Sequence, residues 1–330
     1  MTTNKAAFIT ETGSADVIQF GDVPVPEIGR AQVLIRTEAV AVNPVDTYVR
    51  GGKVAFDLPV PFIIGCDAAG HVEAVGDDVT GFQVGDRVWC TNQGLLGRQG
   101  TFAQLIAVDA NWCYSLPDNV TCQDAAALAL VAVTGHLGLF RESRLSAGES
   151  ILVIGGTGGV GSVVVQMAKA VGASVIATGS NDEKCDRVRG FGADASINYT
   201  TTSIADATKQ FAPNGVNVFW ETRRDPDFDL AVDVLAQRGR MVLMAGRDAR
   251  PQFPVGPFYV KECSLHGFVM FKGTPDELRS CAVDINQWMS EGRLKPVIGK
   301  VLPLSEAAVA HRLQESGTAG GKVVLLTGGV

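Results

Sequence analysis

The sequence predicts a two-domain α/β chain, in which a compact barrel of short strands accompanies a doubly wound parallel sheet. Three observations carry that expectation. An apolar strand, Ile151–Ile154, runs into Gly155-Gly156-Thr157-Gly158-Gly159-Val160-Gly161 and then into a helix with an apolar face. From there to about residue 270, strand-like and helix-like stretches alternate, which implies right-handed crossovers within one parallel sheet. The stretch up to about Leu116 instead reads as short strands broken by Gly, Pro and Asp, the texture of a β-barrel.

Taken in order, Met1–Ile9 lacks the long apolar region of a signal peptide and reads as a first strand. Gly65, Gly70, Gly76, Gly81 and Gly85 punctuate the strands that follow. Ala125 to Leu139 is rich in alanine and leucine and helical in character. Strands are expected at Ile151–Ile154, Val175–Thr178, Val216–Glu221, Met241–Ala245 and Leu265–Met270. Val160, Val164, Met167 and Val171 recur at helical spacing, and Gly172 supplies a C-cap. Pro275 to Gly292 is a further helix. Val297–Leu304, Glu306–Glu315 and Lys322–Leu326 give strand, helix and strand returning to the first domain. The domains are therefore 1–124 with 272–330, and 125–271.

Composition narrows the function. The 330 residues are 46% hydrophobic and 19% charged, ordinary for a globular enzyme. A net charge of −7 gives no basic field for nucleic acid or an anionic membrane surface, and no uninterrupted apolar run approaches the ~18 residues of a membrane span. Seven cysteines (Cys66, Cys90, Cys113, Cys122, Cys185, Cys263, Cys281) are scattered without C-x-x-C pairs, which suits reduced thiols in a cytoplasm.

Gly156, Gly158 and Gly161 match G-x-G-x-x-G between a strand and a helix, the context in which that pattern points to a dinucleotide. Glycines let backbone N–H groups approach a diphosphate, and the helix aims its partly positive end at the same anion. The alternative is an ordinary glycine-rich turn in a chain of 38 glycines. The second strand ends in Thr178-Gly179-Ser180-Asn181 rather than in the carboxylate of an NAD-selective site. Ser180-x-x-Glu183 reads as a capping box opening the next helix. Lys184 and Arg187 supply charge for a 2′-phosphate, which favours NADPH; otherwise they only solvate a helix face.

At this point the chain resembles the quinone oxidoreductases of the zeta-crystallin type, in the zinc-free branch of the medium-chain dehydrogenase/reductase superfamily. The matching segments are Asn43-Pro44-Val45-Asp46-Thr47-Tyr48-Val49-Arg50, Gly65-x-Asp67-x-x-Gly70, Gly85-Asp86-Arg87-Val88, Gly148-Glu149-x-x-Leu152, Gly158-Gly159-Val160-Gly161, Gln166-x-x-Lys169 and Leu294-Lys295-Pro296-Val297-Ile298-Gly299. The resemblance implies a GroES-like catalytic domain and a Rossmann domain that holds NADPH. It implies that Thr157, Gly158, Gly159 and Val160 line the diphosphate, and that Ser180, Lys184 and Tyr199 surround the 2′-phosphate. Gly246, Arg247, Phe268, Val269 and Met270 would border the nicotinamide half, with Tyr48 and Asn43 facing that ring. A homodimer through the edge of the nucleotide-binding sheet is implied too, where Phe268-Val269-Met270-Phe271 would need cover.

Several departures stand out. Zinc enzymes of this superfamily need Cys, His and Cys or Asp at the catalytic centre, but those positions are Asn43, Cys66 and Leu130 here. The structural-zinc segment, Trp89 to Gln104, contains only Cys90. No metal is expected. Arg223 and Arg224 follow the fourth strand where relatives have an acidic and then a small residue; they contact an anionic group or are surface charges. His136, where relatives carry an aromatic residue, is either a proton donor or a packed helix histidine.

Without a Lewis acid the fitting chemistry is hydride transfer to an already electrophilic acceptor, a quinone or an α,β-unsaturated carbonyl. Tyr48 and Asn43 are the candidate orienting donors. Alternatively Tyr48 stacks on the nicotinamide and Asn43 caps a turn before Pro44. The reading is an NADPH-dependent quinone reductase, with a 2-alkenal or enone double-bond reductase as the close rival. An NADPH-binding structural or RNA-binding protein with little turnover is the rival of another class.

Overall fold

The computed structural model describes residues 3–54 and 58–328. The chain divides into two compact units, residues 1–130 with 271–330, and residues 131–270.

The first unit is built around the long strand Gln32–Val42, in which Val33, Ile35, Thr37 and Ala39 are buried while Arg36 and Glu38 point to water. That alternation is the period-two signature of a half-buried strand. It pairs antiparallel with Asp67–Val75 on one side. On the other side its first half pairs with Leu105–Asp109 and its second half with Lys322–Leu326. The path of this sheet continues through Arg87–Cys90 to Cys113–Ser115, and Ile298–Pro303 joins Lys322–Leu326 in parallel. A smaller sheet orders Gln19–Pro24, Thr3–Ile9 and Phe62–Ile63. Met1 and Thr2, expected in the first strand, lie outside the described residues. Register has a functional consequence: Ala41 lies opposite Asp67 and Val42 opposite Val323, so Asn43, Asp67 and Lys322 gather at one end of the sheet.

Besides Pro44–Arg50, two longer helices belong to this unit. Pro275–Ser290 opens at Pro275 under a capping box between Thr274 and Glu277. Ala307–Ser316 crosses between the two parallel strands and ends at Gly317 in the left-handed conformation.

The second unit is a six-stranded parallel sheet. Its elements are β1 (Ser150–Val153), α1 (Gly159–Ala170), β2 (Ser174–Gly179), α2 (Asp182–Gly190), β3 (Ala195–Asn198), α3 (Ile204–Phe211), β4 (Val216–Glu221), α4 (Phe228–Val234), β5 (Leu235–Leu243), α5 (Val255–Val260) and β6 (Ser264–Gly267). The strand order β3-β2-β1-β4-β5-β6 reverses direction at β1, the topology of a doubly wound dinucleotide fold. Leu152, Ile176, Ile197, Phe219 and Met241 from the strands close one core with Phe228 and Val234 of α4. Two expected strands are corrected. β5 begins at Leu235 rather than Met241, because its pairing with β4 jumps from Val216↔Leu235 to Val218↔Arg240 around an irregularity. The last strand ends at Gly267 rather than Met270; Met270 instead opens a short turn of 3-10 helix.

The alanine-rich segment forms helix Cys122–His136, continued by the wider π turns of Leu137–Glu142. Together these are long and apolar enough to cross a membrane, yet 83% of the qualifying stretch is buried inside the protein. At Gly138 the chain passes directly under Trp220. A Cβ there would lie 2.2 Å from Trp220 Cη2 and 2.9 Å from Phe268 Cε1. Gly138→Ala gains up to ~1 kcal/mol of helix propensity, but overpacking a filled core costs ~1–3 kcal/mol. The expected net effect is destabilisation, seen as a lower urea midpoint; an unchanged or higher midpoint would show that Trp220 is free to move.

Candidate functional site

The glycine turn of the second unit is folded around its own backbone. Gly155 N–H donates to Thr178 Oγ1 at 2.9 Å, Gly156 N–H to Thr178 O at 3.1 Å, and Gly158 N–H to Gly155 O at 3.0 Å. These bonds tie the turn to the end of β2. A Cβ on Gly161 would stand 2.1 Å from the Gly155 carbonyl oxygen, so only glycine lets α1 start this close to β1. Among the described residues, the amides of Gly159, Val160 and Gly161, at the first turn of α1, meet no backbone carbonyl. Gly158, the N-cap, and Gly159 are exposed, with Thr157 and Val160 half-buried beside them. This arrangement of free donors at the start of a twelve-residue helix fits a diphosphate.

At the end of β2, Lys184 Nζ donates to Ser180 Oγ at 2.9 Å. Tyr199 is held alongside by its own N–H, which donates to Gly179 O, and its side chain is exposed. The structure thus brings Ser180, Lys184 and Tyr199 to one strand end. The capping box expected from Ser180 and Glu183 does not form: Asn181 is the N-cap, its side-chain oxygen accepting from Lys184 N–H at 2.8 Å. Ser180 is consequently free of capping duty. Arg187 meets Glu183 on its own helix at 3.4 Å.

The loops after β4 and β5 touch one another. Gly246 has φ +85°, and a Cβ on it would approach Arg224 O to 2.9 Å. Arg247 next to it is exposed. Phe268 packs edge-on against Trp220 with centroids 6.4 Å apart, and the Arg141 guanidinium lies 5.9 Å from its ring. Val269 is exposed and Met270 buried. Arg223 is not a free surface charge: its guanidinium grips the fully buried Glu221, Nε lying 3.0 Å from Oε1 and 3.1 Å from Oε2 and Nη2 2.7 Å from Oε2. His136 is buried, its ring edge-on to Phe140 at 4.7 Å, which matches a packed helix histidine.

In the first unit, Tyr48 sits half-buried on helix Pro44–Arg50 with Lys53 Nζ 5.8 Å from its ring. Asn43 does not offer its amide outward. It is fully buried; its Nδ2 donates to Asp67 Oδ2 at 2.8 Å and its Oδ1 accepts from Lys322 Nζ at 2.6 Å. It caps the helix: its N–H donates to Asp46 Oδ2 at 2.7 Å, the return arm of a capping box. Of its two sequence roles, the capping one is what this geometry shows.

The same cluster occupies the three zinc-ligand positions. Leu130 presents its backbone N–H, 3.2 Å from Asp67 Oδ2, and the Cys66 thiol bonds to Asp46. Thr91 Oγ1 donates to Asp67 Oδ1 at 2.6 Å. Burial pushes the Cys66 thiol well up and Asp67 up, and pushes the Lys322 ammonium down. A neutral amide, a protonated thiol and a backbone N–H around an ammonium ion do not make a zinc site. Lys322 is the residue that sequence reading missed. A lysine opening an apolar strand reads as an exposed terminus, and only the register opposite Val42 turns it inward.

Burial also raises the Asp46 carboxyl from 3.8 to about 7, against the opposing hydrogen bonds from Cys66 and Asn43. The folded protein therefore holds this proton where the unfolded chain has lost it. Its contribution to stability is full below about pH 4 and declines as pH rises to about 7. Asp46→Asn, which cannot ionise, is expected to gain stability relative to the parent across that window; denaturation midpoints that stay parallel from pH 4 to 7 would contradict this.

With this geometry in hand, residues 29–118 match the alcohol dehydrogenase GroES-like domain family and residues 159–287 the zinc-binding dehydrogenase family. A rat quinone oxidoreductase is 33% identical over 326 residues, 98% of both chains. An Arabidopsis chloroplastic NADPH-dependent alkenal/one oxidoreductase is 36% identical over 97% of this chain and 79% of that one. Among solved structures, an NAD-dependent alcohol dehydrogenase superposes with a TM-score of 0.90 at 30% identity, covering 98% of this chain and all of that one. A mycobacterial protein complexed with NADPH does so at 0.85 and 30%, with the same coverage. Full-length similarity at this level, on a two-unit fold with the glycine turn in place, makes the chain a member of the quinone oxidoreductase branch of the medium-chain dehydrogenase/reductase superfamily.

Proposed function

We propose that this protein is an NADPH-dependent reductase of quinones that works without a metal. The observation that carries the reading is the closed Lys322–Asn43–Asp67 cluster, which leaves no ligand set to polarise a plain alcohol. An acceptor that is already conjugated and electrophilic needs only hydrogen-bond donors at its oxygen.

The roles of individual residues follow from their places. Thr157, Gly158, Gly159 and Val160 line the diphosphate, which takes the free amides of Gly159 and Val160 at the N-terminus of α1. Ser180, Lys184 and Tyr199 surround the adenosine 2′-phosphate; the 2.9 Å contact between Lys184 and Ser180 sets a donor and a charge side by side. One solved relative is an NAD-dependent alcohol dehydrogenase, so that pair, rather than the fold, makes the choice of cofactor here. Gly246, Arg247, Phe268, Val269 and Met270 border the nicotinamide half. NADPH, when bound, supplies the hydride. Tyr48 donates its hydroxyl hydrogen bond to the acceptor oxygen and orients it, while Asn43 serves by fixing the helix that carries Tyr48.

Reduction of enones is the second reading, favoured by the alkenal/one oxidoreductase among the relatives. The protein acts as a cytoplasmic homodimer: its cysteines are free, and β6 ends the sheet with Leu265 and the following Val269 exposed, an edge that a second copy would cover.

The deciding experiment follows NADPH oxidation with ortho-quinones, para-quinones and 2-alkenals. Quinone turnover is expected; turnover of alkenals alone would reverse the order of the two readings, and tight NADPH binding with no acceptor reduced would remove both. Lys184→Ala should raise the KM for NADPH about tenfold, the loss of ~1.4 kcal/mol, and leave that for NADH unchanged. Equal tightness for NADH and NADPH in the parent protein would show that Ser180 and Lys184 do not read the 2′-phosphate.

A further inference from the structure

Lys322 opens the last strand of the first unit, yet it is only 7% exposed. Its ammonium donates to the Val42 carbonyl at 2.9 Å and to Asn43 Oδ1 at 2.6 Å. Asn43 then acts as a relay, with its amide oxygen on the cation, its amide nitrogen on the Asp67 carboxylate, and its backbone N–H on Asp46. Because the side-chain oxygen is taken by an obligate donor, the amide cannot turn over without losing both the cation and the carboxylate.

This matters for the helix that begins at Asn43. Pro44–Arg50 has seven residues, and helices under ~12 residues do not hold themselves in water. Its direction is therefore set by its anchors, the cap at Asn43 at one end and the buried Arg50, whose Nη2 donates to Glu315 Oε1, at the other. Tyr48 projects from that helix little more than one turn beyond Asn43.

We propose that Lys322 is a positioning residue for the reduction, its buried ammonium locking the Asn43 amide and, through that cap, the helix that aims Tyr48. The competing role is that of a counter-ion, which merely balances Asp67 and Asp46. The two differ in what a charge-neutral replacement restores. The proposal rests on Tyr48 being the orienting donor.

The test compares Lys322→Met with the double variant Lys322→Met/Asp67→Asn, which removes cation and anion together. Each is measured for thermal midpoint, NADPH affinity, kcat with a quinone, and amide hydrogen exchange at residues 46–50. Lys322→Met is expected to melt lower, to exchange faster at 46–50 and to lose about tenfold or more in kcat, with NADPH affinity within about twofold of the parent. The double variant is expected to recover much of the thermal midpoint but neither the kcat nor the protection at 46–50. Recovery of kcat together with stability would make Lys322 a counter-ion only and overturn the proposal. So would parent-like kcat and exchange in Lys322→Met. If the single variant does not fold, the double variant decides alone. Tyr48→Phe separates the two layers: parent-like kcat there removes the Tyr48 reading, whereas unchanged exchange at 46–50 in Lys322→Met removes the positioning role.

Discussion

The tightest glycine contact of the second unit is the approach of α1 to β1, where Gly161 lies so near the Gly155 carbonyl that a single methyl group would stand 2.1 Å from its oxygen. Everything that makes the second unit a nucleotide binder depends on that closeness. It brings the first amides of α1 to the end of the sheet at the point where strand order reverses, with their N–H groups still unspent. The bonds from Gly155 and Gly156 to Thr178 hold the turn in place with the chain's own groups. Preorganised donors of this kind cost little to engage, which is why a backbone turn can bind a diphosphate without a dedicated cation.

The first unit solves a different electrostatic problem. Two buried carboxylates, a buried ammonium and a thiol lie within one cluster, where unpaired charges would be expensive. Hydrogen bonds from Thr91, Asn43 and the Leu130 amide satisfy Asp67, and the Asp46 carboxyl, raised to about 7, moderates the excess of negative charge by retaining its proton. The cluster is turned inward and spent on itself. Its Asn43 fixes the start of the helix that carries Tyr48.

Much of this was legible in the sequence because it rests on local patterns. The alternation of strands and helices gave the parallel sheet, and the glycines marked the turn between β1 and α1, since both follow from periodicity and from the freedom of residues without side chains. Failures fell where tertiary contacts decide. Ser180-x-x-Glu183 has the spacing of a capping box, but Asn181 is one residue better placed and wins the cap. Phe268 to Met270 is apolar enough for a strand, yet β6 stops at Gly267 because Phe268 turns to pack on Trp220. Lys322 and Asn43 are separated by 279 residues, and no local signal announces that they meet. Arg223 was ambiguous for the same reason, since its partner Glu221 is buried only once the sheet is complete.

The function turns on where the dinucleotide sits. A crystal structure of the protein with NADPH measures this directly. The diphosphate oxygens should lie within hydrogen-bond distance of amides between Thr157 and Gly161, with the 2′-phosphate against Ser180 Oγ and Lys184 Nζ. A diphosphate bound elsewhere, or an adenosine 2′-phosphate turned away from Ser180 and Lys184 into solvent, would contradict it.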